Sequence, residues 1–259
     1  MSTLKIKNLS VSSQDGQELL KSIDFTVEQG ELIVVYGPNG AGKSSLLKAI
    51  MHHFNTKINK GDIIFNNKSI KNLDTCTIAK LGFFHMQQNP LELNGVQTLG
   101  FLRLINGQSQ NKLNFADLFA QIQHDVKELS LPDEILSREL NVDFSGGQKK
   151  KTEILQARVF QPTVLLIDEI DSGLDVEAIK KISDFINTKR KDVISIVVSH
   201  NNNFIKLIKP SRVLVLNDKK IVHTGTAEVI NKIETNGFGY YIKNEVKSKR
   251  PQVTCLIKK

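Results

Sequence analysis

The spacing of apolar residues divides the chain into three stretches with different periods. In the first, "LKIKNLSV" and "SIDFTVEQG" alternate apolar and polar positions, which predicts half-buried antiparallel strands. "ELIVVYG" breaks the alternation. Its unbroken β-branched run, ending at Gly37, predicts a strand covered on both faces. Helical spacing follows at once in "SSLLKAIMHHF", and "GDIIFNN" and "KLGFFHM" predict two more short strands.

From Pro90 to about Val142 the period changes. "FADLFAQIQHDVKEL" and "PDEILSREL" carry apolar residues at helical intervals, Pro132 suits a helix start, and no strong strand lies between. The α/β pattern then returns. "TVLLIDE" and "VISIVVSH" predict buried strands on either side of the helix "VEAIKKISDFINTKR". "RVLVLNDKKIVHTG" predicts a hairpin turning at Asn217–Lys219, and "EVINKIET" a short helix. The expected organisation is a single α/β domain. Residues 1–87 and 151–240 form the core with its β-subdomain, 88–150 an inserted helical subdomain, and 241–259 a basic tail.

Composition narrows the function classes. The 259 residues are 40% hydrophobic and 24% charged, an ordinary globular balance. The net charge of +8 comes from Lys and Arg scattered along the chain, which reads as a solvated surface and predicts no nucleic-acid partner. Trp is absent, which also argues against a surface for stacking bases. Cys76 and Cys255 are the only cysteines, too few for a disulfide framework or a cysteine-built metal centre. "MSTLKIKNLSVSS" lacks an apolar signal core, and no 18-residue apolar run occurs. The expectation is a cytoplasmic protein with no direct membrane insertion.

The chemistry concentrates in three places. "GPNGAGKS", comprising Gly37, Pro38, Asn39, Gly40, Ala41, Gly42, Lys43 and Ser44 and followed by Ser45, fits G-x-x-x-x-G-K-[ST] between a predicted strand and a predicted helix. This is the phosphate loop, or Walker A pattern. Its glycines let backbone N–H groups cradle phosphates, Lys43 adds a charge, and the Ser44 hydroxyl can ligate Mg²⁺. The second place is "LLIDEIDSGLD", where Asp168, Glu169, Asp171 and Asp175 crowd onto the end of a buried strand. In phosphate-loop enzymes such a strand ends in an Asp that holds the nucleotide's Mg²⁺, which assigns Asp168. Glu169, one residue on, is placed to deprotonate the attacking water. "FSGGQKKK" adds Ser145, Gly146 and Gly147 before a predicted helix starting near Gln148, a second candidate anion site.

The order of these motifs resembles the ABC ATPase family. A phosphate loop is followed by S-G-G-Q, then an Asp-Glu strand end, then S-G-L-D, then a strand ending in His. The resemblance implies a RecA-like core with an antiparallel β-subdomain and an inserted helical subdomain. It implies ATP and Mg²⁺ as ligands and a head-to-tail, ATP-dependent homodimer. Ser145, Gly146, Gly147 and Gln148 resemble the signature that meets the γ-phosphate of the other subunit, and Asp175 lies in the loop crossing the interface. His200 resembles the switch histidine, and Gln88 the glutamine that joins Mg²⁺ to the helical subdomain. Near Val11, where many relatives stack the adenine on an aromatic ring, this chain has only an apolar side chain to offer.

Within the family, "FSGGQKKKTEILQ", "DEIDSGLD", "GFFHMQQNPLELNGV" and "IKPSRVLVLNDKKIVHTG" look like the Suf-system ATPases (SufC) of iron–sulfur cluster assembly. Transporter ATPases typically read D-E-P-T where this chain reads Asp168-Glu169-Ile170-Asp171. Gln148, Lys151 and Asn94 depart from the usual Suf residues Glu, Arg and Pro. The implied partners are SufB/SufD-like scaffold proteins. The alternative is the nucleotide-binding subunit of an ABC transporter. The general family pattern gives Asp171 no role.

Overall fold

A computed structural model describes residues 1–109, 111–174 and 176–238. The expected basic tail and Asp175 lie outside the described residues.

The alternating stretches pair as predicted. β1 (Thr3–Ser12) runs antiparallel to β2 (Glu18–Glu28) and to β4 (Lys57–Phe65), with β5 (Lys68–Ser69) at the edge beyond β4. The continuous run forms β3 (Leu32–Tyr36), every residue of which is buried. It lies near the centre of a six-stranded sheet ordered β12-β11-β3-β10-β9-β6. There β6 is Phe83–Met86, β9 Val164–Asp168, β10 Ile194–Val198, β11 Arg212–Asn217 and β12 Lys220–Gly225. All pairs are parallel except the β11–β12 hairpin.

Helices cover both faces, so successive residues of one strand enter different cores. Val164 and Leu166 of β9 pack with α1 (Lys43–Ile50), α2 (Thr75–Lys80) and the antiparallel sheet. Leu165 and Ile167 pack with the opposite layer, which includes α4 (Phe115–Glu128), α5 (Gly146–Phe160), α6 (Val176–Lys189), α7 (Asn202–Ile208) and α8 (Glu228–Asn236). This two-sided burial is why the central strands read as unbroken apolar runs.

The middle of the chain departs from expectation in three ways. A small antiparallel pair is present, β7 (Leu93–Gln97) with β8 (Glu139–Leu140), Leu93 opposite Leu140. Strands this short leave little periodicity to read. Next, Thr98–Gln108 forms a helix, α3, hidden in the sequence by Gly100 and Gly107, which weaken its helical signal. Thr98, Leu102 and Asn106 are its buried residues. Finally, "PDEILSREL" makes only one 3-10 turn at Asp133–Leu136 before β8, and Pro132 caps that turn from outside. Helix α5 runs unbroken through residue 150.

Candidate functional site

Strand register assembles the site. Val35 pairs with Val198, and Val198 with Asp168, while Met86 pairs with Ile167. The carboxyl ends of β3, β10, β9 and β6 therefore finish side by side, delivering Gly37, Ser199 and His200, Asp168 and Glu169, and Gln87 and Gln88 to one edge. Open parallel sheets bind ligands at such edges.

The loop after β3 admits little beyond glycine at two points. A Cβ on Gly37 would run into the Leu216 carbonyl, and Gly42, at φ +104°, would bring one to 2.7 Å from the Leu19 carbonyl. Gly42 is also the N-cap of α1, with no side chain capping the helix and no acid in its first turn. The free N–H groups of that turn, the helix dipole and Lys43 form a donor set that fits an anionic phosphate. Lys43 is 5% exposed and donates to the carbonyls of Gly37 and Pro38, both at 3.0 Å. Burial lowers its pKa, and the nearby Glu169 and Asp168 pull it back.

Ser44 Oγ donates to Asp168 Oδ1 at 2.9 Å. Asp168 is 3% exposed, and burial raises its pKa, with the Ser44 bond acting against the rise. A buried carboxylate and a hydroxyl side by side are hard oxygen donors, which fits Mg²⁺. Glu169 turns out of the strand at φ +48°, unusual for a residue with a side chain. Its N–H donates to the Val198 carbonyl at 3.0 Å. Its carboxylate lies between two residues: Gln88 Nε2 donates to Oε2 at 2.8 Å, and His200 Nε2 stands 3.4 Å from Oε1. Burial and Lys43 lower the His200 pKa, against the pull of Glu169 and Asp171.

Lys43, Ser44, Gln88 and Glu169 border a cleft of about 480 Å³, lined also by Asn39, Gly40, Gly42 and Ser45; Asp168 and His200 stand behind its lining. Gln17, Glu18, Leu19 and Lys219 complete it. Sequence reading missed these four. The only signals were two polar turns, "SSQDGQ" and "NDKK", and nothing local shows that the turns meet; Lys21 N–H donates to the Lys219 carbonyl at 2.8 Å. Val11 is fully buried between Leu20 and Ile58, so it offers no apolar contact to a base, contrary to expectation. Leu19 is the apolar residue on that side of the cleft.

Ser145, Gly146, Gly147 and Gln148 do not line this cleft. The candidate anion site at the start of α5 carries a side-chain cap that engages two of its N–H groups, those of Ser145 and Gln148. Ser145 Oγ accepts from Gln148 N–H at 3.3 Å, and Gln148 Oε1 accepts from Ser145 N–H at 3.0 Å, a reciprocal capping box. Asp171, unexplained in sequence, is 6% exposed and accepts from Ser199 Oγ at 3.0 Å, whose oxygen in turn takes Asn201 N–H at 2.9 Å. It thus ties the loop after β9 to the loop carrying His200. Burial raises its pKa.

The sequence pattern described as "ABC transporter" matches residues 20–172, more than half of the chain. The chain belongs to the ABC transporter ATPase family. It is 36% identical to a probable ABC transporter ATP-binding protein of Streptococcus pyogenes serotype M18, over 92% of this chain and 94% of that protein. It is 35% identical to vegetative protein 296 of Bacillus subtilis over 95% of each, and 35% identical to a probable ATP-dependent transporter of Synechocystis over 92% and 94%. Among solved structures, an ATP-binding subunit of an ABC transporter superposes with TM-score 0.76 at 24% identity, covering 95% of this chain and 98% of that one. A dimeric ATP-binding cassette holding ADP and phosphate gives 0.74 at 20%, covering 86% and 98%. These two likenesses establish the ABC ATPase fold. As a member of the family, the chain is an ATP-binding, ATP-hydrolysing enzyme. Among the described residues no helix is long and apolar enough to cross a membrane.

Proposed function

We propose that this ABC ATPase drives an iron–sulfur cluster assembly complex of the SufBCD type, hydrolysing Mg-ATP between two head-to-tail copies and passing the motion to SufB/SufD-like scaffold proteins. The observation that carries the catalytic part is Glu169, held between Gln88 and His200 beside the Ser44–Asp168 pair. In this reading Glu169 takes the proton of the attacking water as its oxygen bonds to the γ-phosphorus and the bond to ADP breaks. Lys43 and the loop 37–45 hold the phosphates, and His200 orients Glu169 and reaches the γ-phosphate. Ser44, Asp168 and Gln88 would hold Mg²⁺, which when bound neutralises phosphate charge. Ser145–Gln148 and Asp175 would act on the nucleotide of the second copy. Residues 88–150 would move with the γ-phosphate through Gln88.

The Suf part rests on "DEIDSGLD" and the Lys149–Lys151 run, together with the burial of Asp171 and Lys150 against the loops beside Glu169. The scaffold contact would lie around Leu91. Its side chain is 67% exposed, while its carbonyl accepts from Asn141 Nδ2 at 2.8 Å, so the apolar group stands on a fixed stem. No cluster on the chain itself is required, since Cys76 is a lone exposed thiol among the described residues. A second reading, a transporter's ATP-binding subunit, is favoured by the descriptions that the Streptococcus and Synechocystis relatives bear. Affinity purification from the native host with Mg-ATP separates the two. SufB/SufD-like scaffolds co-purifying, and lost with Leu91→Glu, support the proposal; a multi-pass membrane protein replaces it with the transporter reading.

A further inference from the structure

Helix α5 passes close to both loops that flank Glu169. Two of its side chains, Lys150 and Glu153, stand three residues apart and so share one face, and each is only 6% exposed. Lys150 Nζ donates to the carbonyl and the hydroxyl of Ser172, in the loop after β9. Glu153 reaches the other loop, where its Oε1 accepts from the Gln87 N–H at 2.9 Å. Its Oε2 is buried and has no hydrogen-bond partner among the described residues.

A buried carboxyl with one of its oxygens unsatisfied is a costly group, and packing alone would be better served by an apolar side chain. Its backbone partner explains its presence. The parallel ladder between β6 and β9 ends at the Met86–Ile167 pair, so the next N–H, that of Gln87, lies beyond the sheet. A half-buried backbone N–H beyond the ladder still needs an acceptor, and the buried Glu153 carboxyl supplies it. The residue after Gln87 is Gln88, whose side chain holds Glu169.

We propose that Glu153 is a positioning residue: its carboxyl oxygen fixes the backbone at Gln87 so that Gln88 reaches Glu169, linking the signature helix to the catalytic carboxylate. The inference rests on the reading of Glu169 as the base. The path has four named steps: α5 to Glu153, Glu153 to Gln87 N–H, Gln88 Nε2 to Glu169 Oε2, and Glu169 Oε1 to His200. Burial pushes the Glu153 carboxyl up to about 8, with the Gln87 N–H and Lys150 acting against the rise. Lys150 is the charged neighbour on its own helix; His85 of β6 has Lys48 and His53 as its charged neighbours. The carboxyl is therefore mostly neutral at pH 7, and a glutamine reproduces both its shape and its acceptor.

The test uses the full chain with Glu153→Gln, Glu153→Leu and Glu153→Ala, measuring steady-state ATP hydrolysis, ATP affinity, and hydrogen exchange at the Gln87 amide. The two apolar variants should lower kcat roughly three- to thirty-fold, the range of couplings carried through such contacts, with ATP affinity unchanged. Their Gln87 amide should exchange faster. Glu153→Gln should keep both kcat and protection. Apolar variants that match wild type in kcat overturn the proposal. It also falls if both apolar variants fail to fold while Glu153→Gln is native, because the residue is then structural only. If Glu169→Gln in the otherwise unchanged chain has no effect on turnover, the underlying reading of the site fails instead.

Discussion

Helices α1 and α5 both begin at glycine-rich turns, "GAGKSS" and "SGGQKK", yet only the second is capped by side chains. At α1 the N-cap is Gly42 at φ +104° with no capping side chain, and the helix opens onto the cleft. At α5 Ser145 and Gln148 satisfy each other's N–H groups. Sequence patterns alone mark both as anion sites. The difference teaches that a helix start binds phosphate only where its donors stay free. In the proposed dimer, the α5 end meets a nucleotide only when a second copy brings one, through Gly146, Gly147 and the Ser145 hydroxyl. A self-capped start keeps that end ordered until then.

The sharpest break in this comparison is chemical. Glu169→Gln should lower kcat by roughly 10²–10⁴, because glutamine keeps the bond to Gln88 but cannot accept a proton. Phosphate release at saturating ATP measures it. Next in size, Lys43→Ala should weaken ATP binding by roughly 10- to 100-fold, through loss of a charge-assisted contact at the open start. Equilibrium titration with a fluorescent ATP analogue reads it out. At the capped start the effect should be on stability. Ser145→Ala should cost about 1 kcal/mol of cap energy in denaturant unfolding, while ATP binding to the single chain stays unchanged.

A further effect is a dependence on pH. The folded pKa of Glu153 lies above its unfolded value, so its protonated form stabilises the fold fully below about pH 4.5. That contribution is lost as pH rises towards about 8. Glu153→Gln has no such loss. Its Tm relative to wild type should therefore rise between pH 5 and pH 8, and a flat difference would contradict the buried carboxyl.

Much of this site was legible because its residues are local in sequence. The phosphate loop needs eight consecutive residues, and Asp168 and Glu169 end a strand whose apolar run announces it. The core strands were legible for the same reason, since burial on both faces leaves no polar break. What escaped depends on distant meetings. Lys219 reaches the cleft only because the β11–β12 hairpin tip meets β2, and Glu153 matters only because β6 ends beside α5. Val11 was misplaced because strand alternation does not say which face is the core when both β2 and β4 flank it. Helix α3 was hidden by its two glycines, and the β7–β8 pair by its shortness.

The central claim is that the uncapped start of α1 holds the nucleotide and the side-chain-capped start of α5 serves the nucleotide of another copy. Size-exclusion chromatography of the Glu169→Gln protein with saturating Mg-ATP tests it most directly, because ATP trapped between copies adds its binding energy to the dimer. The account predicts a dimer with Mg-ATP and a monomer without it. It also predicts that adding Ser145→Arg restores the monomer while each chain still binds ATP. A protein that stays monomeric with ATP bound, or a dimer indifferent to Ser145→Arg, would contradict it.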